Sequence, residues 1–168
     1  AAARGGPPGA AGAGRRKYAR LALGRLRAGR RAPRARRDEM LFVCTHNSAR
    51  SQLAAAMWTA RTGRRASSAG TRPAARVHRG ATAAARRAGL SLTGATPRAL
   101  GEVPDDVQVV TVCDLVHEEL EPATDWWHWS IPDPVERGDA TAFDAVLVEL
   151  DHRISSVATV IGAERGDR

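Results

Sequence analysis

Three apolar residues, Leu41-Phe42-Val43, run directly into Cys44-Thr45-His46-Asn47-Ser48-Ala49-Arg50-Ser51, and that stretch runs directly into a helical pattern. A strand, a loop of small and polar residues and an amphipathic helix in immediate succession leave few folds open. In the helix, Leu53/Met57 and Ala54/Trp58 pair at i,i+4. In an open parallel α/β sheet, ligands bind at the carboxyl ends of the strands, which is where Cys44 stands. The backbone N–H groups of such a loop can wrap a tetrahedral oxyanion, and the helix N-terminus adds positive potential. Arg50, six residues after Cys44, can hold two oxygens through its planar fork. The same field favours the thiolate of Cys44 and makes it a candidate nucleophile. Ser51 can donate a hydrogen bond to that thiolate, and Asn47 suits the left-handed backbone of a tight loop. Thr45, His46, Asn47, Ser48, Ala49, Arg50 and Ser51 are therefore the candidate substrate-binding residues. His46 is expected on the solvent side. A lone cysteine is ordinarily a small buried hydrophobe. The full pattern C-x-x-N-x-x-R-S in this setting is far more specific.

The rest of the chain alternates in the same way. Arg65 to Ser68 reads as a short strand ending at Gly70, and His78 to Ala88 as an alanine-rich helix stopped by Gly89. Val107 to Val112 holds four valines in six residues, the composition of a buried strand. Leu115 to Leu120 is a short helical turn, and Trp126 to Ser130 an aromatic strand. Asp139 caps a last helix whose apolar face is Phe143, Val146, Leu147, Leu150, Ile154, Val157 and Ile161. The expected fold is α/β: a four-stranded parallel sheet flanked by helices on both faces, with a phosphate-binding-type loop after strand 1.

Charge divides the 168 residues unevenly. Residues 1–39 carry 12 Lys/Arg against 2 Asp/Glu, whereas residues 40–168 carry 14 against 16. The formal charge of +8 therefore belongs to the Ala/Arg/Gly/Pro-rich tail, and residues 40–168 form the expected catalytic domain. In the tail, residues 15–27 read as a short basic helix and 28–39 as an Arg/Pro linker. A basic tail of this kind makes non-specific contacts with nucleic acid. No stretch approaches the roughly 18 apolar residues of a membrane span. Two cysteines make no disulfide framework. With no secretory signal in view, a reducing cytoplasm is the expected location.

Residues Cys44 to Ser51 resemble the active-site loop of the low-molecular-weight protein tyrosine phosphatase superfamily, which includes the thiol-dependent arsenate reductases. The resemblance runs from Met40 to Ile161. It continues in Ser67-Ser68-Ala69-Gly70-Thr71, in Val109 to Asp114 and in His128-Trp129-Ser130-Ile131-Pro132-Asp133-Pro134. It implies that Cys44 is the nucleophile, Arg50 the oxyanion clamp and Asp133 the general acid. Local sequence alone reads Asp133 as a turn residue between prolines, and Asp139, Asp114 and Asp125 as alternatives that fit less well.

In the superfamily the strands ending at Cys44 and Cys113 are neighbours, which makes Cys113 either a resolving thiol or a buried structural cysteine. The thioredoxin-coupled reductases carry a further cysteine about seven residues later, where this chain has Leu120, so their three-cysteine relay has no counterpart here. The resemblance leaves two routes: an external thiol such as mycothiol, or a Cys44–Cys113 disulfide opened by an external reductase. No bound cofactor is expected, and the reductant is mycothiol/mycoredoxin or thioredoxin. Ala55 stands where some relatives carry a Glu near a monovalent cation site, which puts that site in doubt here.

Phosphatases of the superfamily commonly place aromatic residues after the Asp-Pro and after the Ser-Ala-Gly-Thr segment. This chain has Val135 and Arg72-Pro73 there. Trp126, Trp127 and Trp129 read as core rather than as a substrate cleft. The expected activity is therefore reduction of arsenate to arsenite, with phosphomonoester hydrolysis through a phosphocysteine as the alternative. Arg15 to Leu26 also resembles the last helix of winged-helix, arsenic-responsive repressors, which would make the domain the oxyanion-binding part of a repressor fusion. His117 and His128 lack metal-ligand spacing with the cysteines, and no metal is expected.

Overall fold

The computed structural model describes residues 39–120 and 125–166. The tail expected over residues 1–39 lies outside them except for Glu39, which opens the first strand; the side chain of Ile161 lies outside them too. The elements are β1 (Glu39–Cys44), α1 (Arg50–Thr62), β2 (Ala66–Gly70), α2 (Arg79–Arg87), β3 (Val107–Thr111), α3 (Asp114–Leu120), β4 (Trp127–His128), α4 (Pro134–Arg137) and α5 (Ala140–Gly166). The strands form one sheet in the order β2-β1-β3-β4. Every pairing is parallel, with Val43 opposite Ala69 on one side and Thr111 on the other.

Burial follows from that order. Met40 to Cys44 and all of β3 are buried, a pattern that arises only where both faces of a sheet are covered. The Phe42 ring lies 6.3 Å from that of Trp58 and 5.7 Å from that of Trp129. Helix α5 lies against α1 and turns Phe143, Val146, Leu147, Leu150 and Ile154 into the core. The expected pairs Leu53/Met57 and Ala54/Trp58 are all buried. No helix among the described residues is long and apolar enough to cross a membrane.

Helix ends match the residues that set them. Gly63, at φ 65°, closes α1 and donates its N–H to Thr59 O at 2.9 Å. His78 is the N-cap of α2, accepting the Gly80 N–H on Nδ1 at 3.1 Å, while its ring stacks on Phe143. Asp139 caps α5, its Oδ1 accepting from Ala142 N at 2.8 Å and from the Thr141 hydroxyl at 2.6 Å.

Two sequence expectations need correction. The strand expected over Trp126 to Ser130 is only Trp127–His128. Its ladder ends with Trp129 N donating to Thr111 O, and Pro132 and Pro134 beyond have no N–H to extend it. The second is α4, a short helix the sequence reading missed, although its signals were present: Asp133 as N-cap, Pro134 at the first position and Gly138 at φ 70° after the last.

Two predictions follow from these contacts. A methyl group on Gly80 would fall 2.6 Å from Phe143 Cζ. Gly80→Ala should therefore destabilise the fold by about 1–3 kcal/mol in urea titration, with Gly101→Ala, in open space, as the neutral control. The Thr141 hydroxyl and the Ala142 amide hold the Asp139 carboxyl below its ordinary 3.8. Its contribution is thus full above that value and is lost as pH falls through the folded-state value. Asp139→Ala should lower Tm at pH 7, and the gap between variant and parent should close as pH falls below 3.8 and through the lower folded-state value.

Candidate active site

The loop between β1 and α1 is shaped by where its carbonyls go. Cys44 O accepts from Thr71 N at 3.3 Å, Thr45 O from Arg72 N at 2.8 Å, His46 O from Ala74 N at 2.9 Å and Ser48 O from His78 N at 2.8 Å. One segment, 71–78, thus fixes four carbonyls on the outside of the loop. Among the described residues, the amides of Thr45, His46, Ser48 and Ala49 donate to no protein acceptor. These are the donors a tetrahedral oxyanion needs. The loop also presses on the end of β2, where a Cβ on Gly70 would stand 2.7 Å from Thr45 O.

Cys44 is 2% exposed. Its Sγ lies 3.0 Å from Ser51 Oγ and accepts the Asn47 amide at 3.3 Å. Asn47 adopts φ 49°, the left-handed turn its residue type suggested. Its side chain is fully buried and satisfied. Nδ2 donates to Ser51 Oγ at 2.8 Å, while Oδ1 accepts Arg98 N at 2.9 Å and Gln52 Nε2 at 3.1 Å. Because Asn47 donates to the Ser51 oxygen, the Ser51 proton is directed to the sulfur.

Gln52 and Arg98 were not anticipated from the sequence. Gln52 Nε2 also reaches Asn47 O at 3.1 Å and Thr96 O at 3.3 Å, and Arg98 Nε donates to Ser68 O at 2.7 Å. A Gln one residue past the loop was a visible signal; Arg98 gave none, because it arrives 51 residues after Asn47. Both line a groove of about 580 Å³ behind the loop with Ala55, Ser67, Ser68 and Thr96. Among the described residues no carboxylate lines it, and the cationic group there is Arg98.

Arg50 and Asp133 come together. One guanidinium nitrogen of Arg50 donates to Ile131 O at 3.0 Å and the other to Asp133 Oδ2 at 2.5 Å. The other oxygen of Asp133 accepts the Val135 amide at 3.0 Å as the cap of α4. The alternative carboxylates are engaged elsewhere. Asp139 caps α5, and Asp114 binds His128 Nε2 and the Ser130 hydroxyl, each at 2.9 Å. The Ser130 bond and then His128 hold Asp114 below its ordinary value. Asp125 lies before β4, its carbonyl bound to Gln108.

Cys113 is buried just beyond β3, its Sγ 3.5 Å from Thr45 Oγ1, so Thr45 adjoins one thiol in sequence and the other in space. Both cysteines are free thiols. His46 is exposed, while Thr45, Asn47, Ala49, Arg50 and Ser51 are buried and Ser48 is half-buried. Trp129 is core, as expected, but Trp127 is 37% exposed on the edge strand. His117 and His128 stack with centroids 4.0 Å apart and share the Thr111 hydroxyl. Burial, and then the charge of His128, pushes His117 below its ordinary value. Among the described residues, no three His, Cys, Asp or Glu side chains gather as a metal site.

The arrangement sets a buried free thiol beside four backbone amides that have no protein acceptor among the described residues. The model of the family described as low molecular weight phosphotyrosine protein phosphatase matches residues 39–166. Among solved structures, an arsenate reductase from Archaeoglobus fulgidus is 31% identical, with a TM-score of 0.59 over 71% of this chain and 98% of that one. The tyrosine phosphatase Wzb from Escherichia coli, solved with sulphate, is 21% identical, with a TM-score of 0.65 over 74% and 98%. An arsenate reductase in a phosphate-binding state is 24% identical, with a TM-score of 0.64 over 74% and 98%. No curated protein matches the sequence. The chain belongs to the low molecular weight phosphotyrosine protein phosphatase family.

Proposed function

We propose that this member of the family reduces arsenate to arsenite. The observation that carries the reading is the wall of the pocket. A phenyl phosphate needs an aromatic surface beside the oxyanion cradle, and the residues flanking this one are Val135 after Asp133-Pro134 and Arg72-Pro73 after Thr71. Trp129, the aromatic nearest in sequence to Asp133, is spent in the core against Phe42. A small inorganic anion needs no such wall. The 31% identity to the A. fulgidus arsenate reductase, against 21% to Wzb, supports the same side.

In this mechanism arsenate accepts from the loop amides and from Arg50, which exchanges Asp133 for arsenate oxygens. The Cys44 thiolate attacks arsenic; Asp133, released from Arg50 and protonated from solvent, gives that proton to the leaving hydroxyl, which departs as water. A second thiol then attacks the Cys44 sulfur. The S–As bonding pair stays on arsenic, As(V) becomes As(III), and a disulfide remains on Cys44. The second thiol is either an external one, such as mycothiol, or Cys113. The place of Cys113 beside Thr45 of the same loop, 3.5 Å from its Oγ1, supports the latter route.

The test is arsenate-dependent NADPH oxidation, coupled in parallel to thioredoxin with its reductase and to mycothiol with mycoredoxin, beside hydrolysis of para-nitrophenyl phosphate. Turnover with either relay and negligible hydrolysis is the expected result; brisk hydrolysis without arsenate turnover would establish the phosphatase reading. Cys44→Ser should lower turnover by at least about 10³-fold. Arg50→Lys should cost about 10²-fold or more, since a point charge cannot replace two aligned donors. Gln52→Ala, which loosens Asn47 without touching substrate, should slow alkylation of Cys44 by iodoacetamide at about pH 7, because Asn47 and Ser51 no longer hold the sulfur in one geometry.

A further inference from the structure

The described domain is divided by charge. Between Met40 and Gly101 stand ten arginines and no aspartate or glutamate; from Glu102 to Arg168, sixteen acidic residues stand against four arginines. The strand order turns this division into geometry, because β2 and β1 belong to the basic block and β3 and β4 to the acidic one. The seam passes the ends of β1 and β3, where Cys44 and Cys113 lie. Four ion pairs neutralise the arginines that face across it: Arg50–Asp133 at 2.5 Å, Arg61–Asp151 at 2.6 Å, Arg72–Glu119 at 3.4 Å and Arg87–Asp144 at 2.5 Å.

Arg76 and Arg79 are different. Both are exposed, and neither forms an ion pair among the described residues. They flank His78 in the segment whose Ala74 and His78 amides hold the His46 and Ser48 carbonyls, so their backbone is fixed against the mouth of the oxyanion loop. Exposed His46, whose carbonyl accepts the Ala74 amide, and Arg72, paired with Glu119, belong to the same two joined segments.

We propose that Arg76 and Arg79 form a docking rim for the acidic face of a protein partner that reaches Cys44. The rim is open surface, suited to a macromolecule rather than to a small ligand. A bounded acidic patch also suits it better than a continuous polyanion such as nucleic acid, which the neighbouring acidic block would repel. The partner's task rests on the reductase reading. One thiolate of a dithiol protein attacks the Cys44 sulfur of that disulfide and expels its former partner, Cys113 or the external thiol, as a thiolate. The second thiolate then closes the protein's own disulfide and expels Cys44 as a thiolate, so two electrons pass to the enzyme.

The test reads Cys44 alone. Iodoacetylated pentapeptides, one Glu-rich and one Gly/Ser-based, alkylate Cys44 of the full chain, the thiolate displacing iodide, and mass spectrometry follows the product. Iodoacetamide calibrates the intrinsic reactivity of each variant. At low ionic strength the acidic peptide should react about tenfold faster than the neutral one, and 0.5 M salt should erase the difference. Arg76→Ala combined with Arg79→Ala should bring the ratio below about twofold, whereas Arg64→Ala with Arg86→Ala, on the same block away from the mouth, should preserve it. A ratio near one in the parent, or a ratio unchanged in the rim variant, would overturn the proposal. So would protection of Cys44 by a short oligothymidylate but not by a cysteine-free acidic peptide. Arsenate turnover plays no part in these rates, so failure of the reductase reading leaves this outcome separately legible.

Discussion

Four outward hydrogen bonds hold this site open. With the carbonyls of Cys44, Thr45, His46 and Ser48 tied to segment 71–78, the peptide planes between them turn their N–H groups inward. A backbone loop left to itself would satisfy its donors internally or with water. Here an anion-binding concavity is preserved by satisfying the acceptors from behind. Glycine at position 70 lets the loop sit against the end of β2, and the buried Asn47 absorbs the one left-handed turn the path requires. The pocket is therefore a product of parallel pairing between β1 and β2 as much as of the loop's own residues.

The same dependence explains what could be read in the sequence and what could not. The Cys44–Ser51 loop, its strand and its helix are contiguous, and the left-handed Asn47 and the Ser51–Cys44 contact follow from residue type and spacing. The strands betrayed themselves by composition, since a sheet covered on both faces demands unbroken apolar runs. Residues whose role is created by topology stayed hidden. Arg98 meets Asn47 only because the chain after α2 returns past the end of β2, where Gly70 O accepts the Leu100 amide. Ile131 contributes a backbone carbonyl, which no side-chain pattern advertises. Helix α4 was legible in Asp133-Pro134 and Gly138, but a four-residue helix produces no periodicity to notice.

The partition of charge has a structural side as well. Ten arginines with no intervening carboxylate would strain a small domain through mutual repulsion. The fold relieves this by laying α5 back across α1 and α2, which sets Asp151 beside Arg61 and Asp144 beside Arg87. These exposed pairs are individually weak. Their arrangement nevertheless favours this packing of the two blocks over one that would set like charges together.

The pair between Arg50 and Asp133 gives the cradle an occupant of its own. A guanidinium only 11% exposed would pay heavily for standing alone, and the Asp133 carboxylate, planar and singly charged, answers it from within the chain. Binding at this site is therefore an exchange of one anion for another rather than an addition. An incoming oxyanion must outbid a tethered competitor that never diffuses away. The same competitor stands ready to reclaim Arg50 when the reaction is over, and so the residue that weakens capture also hastens clearance.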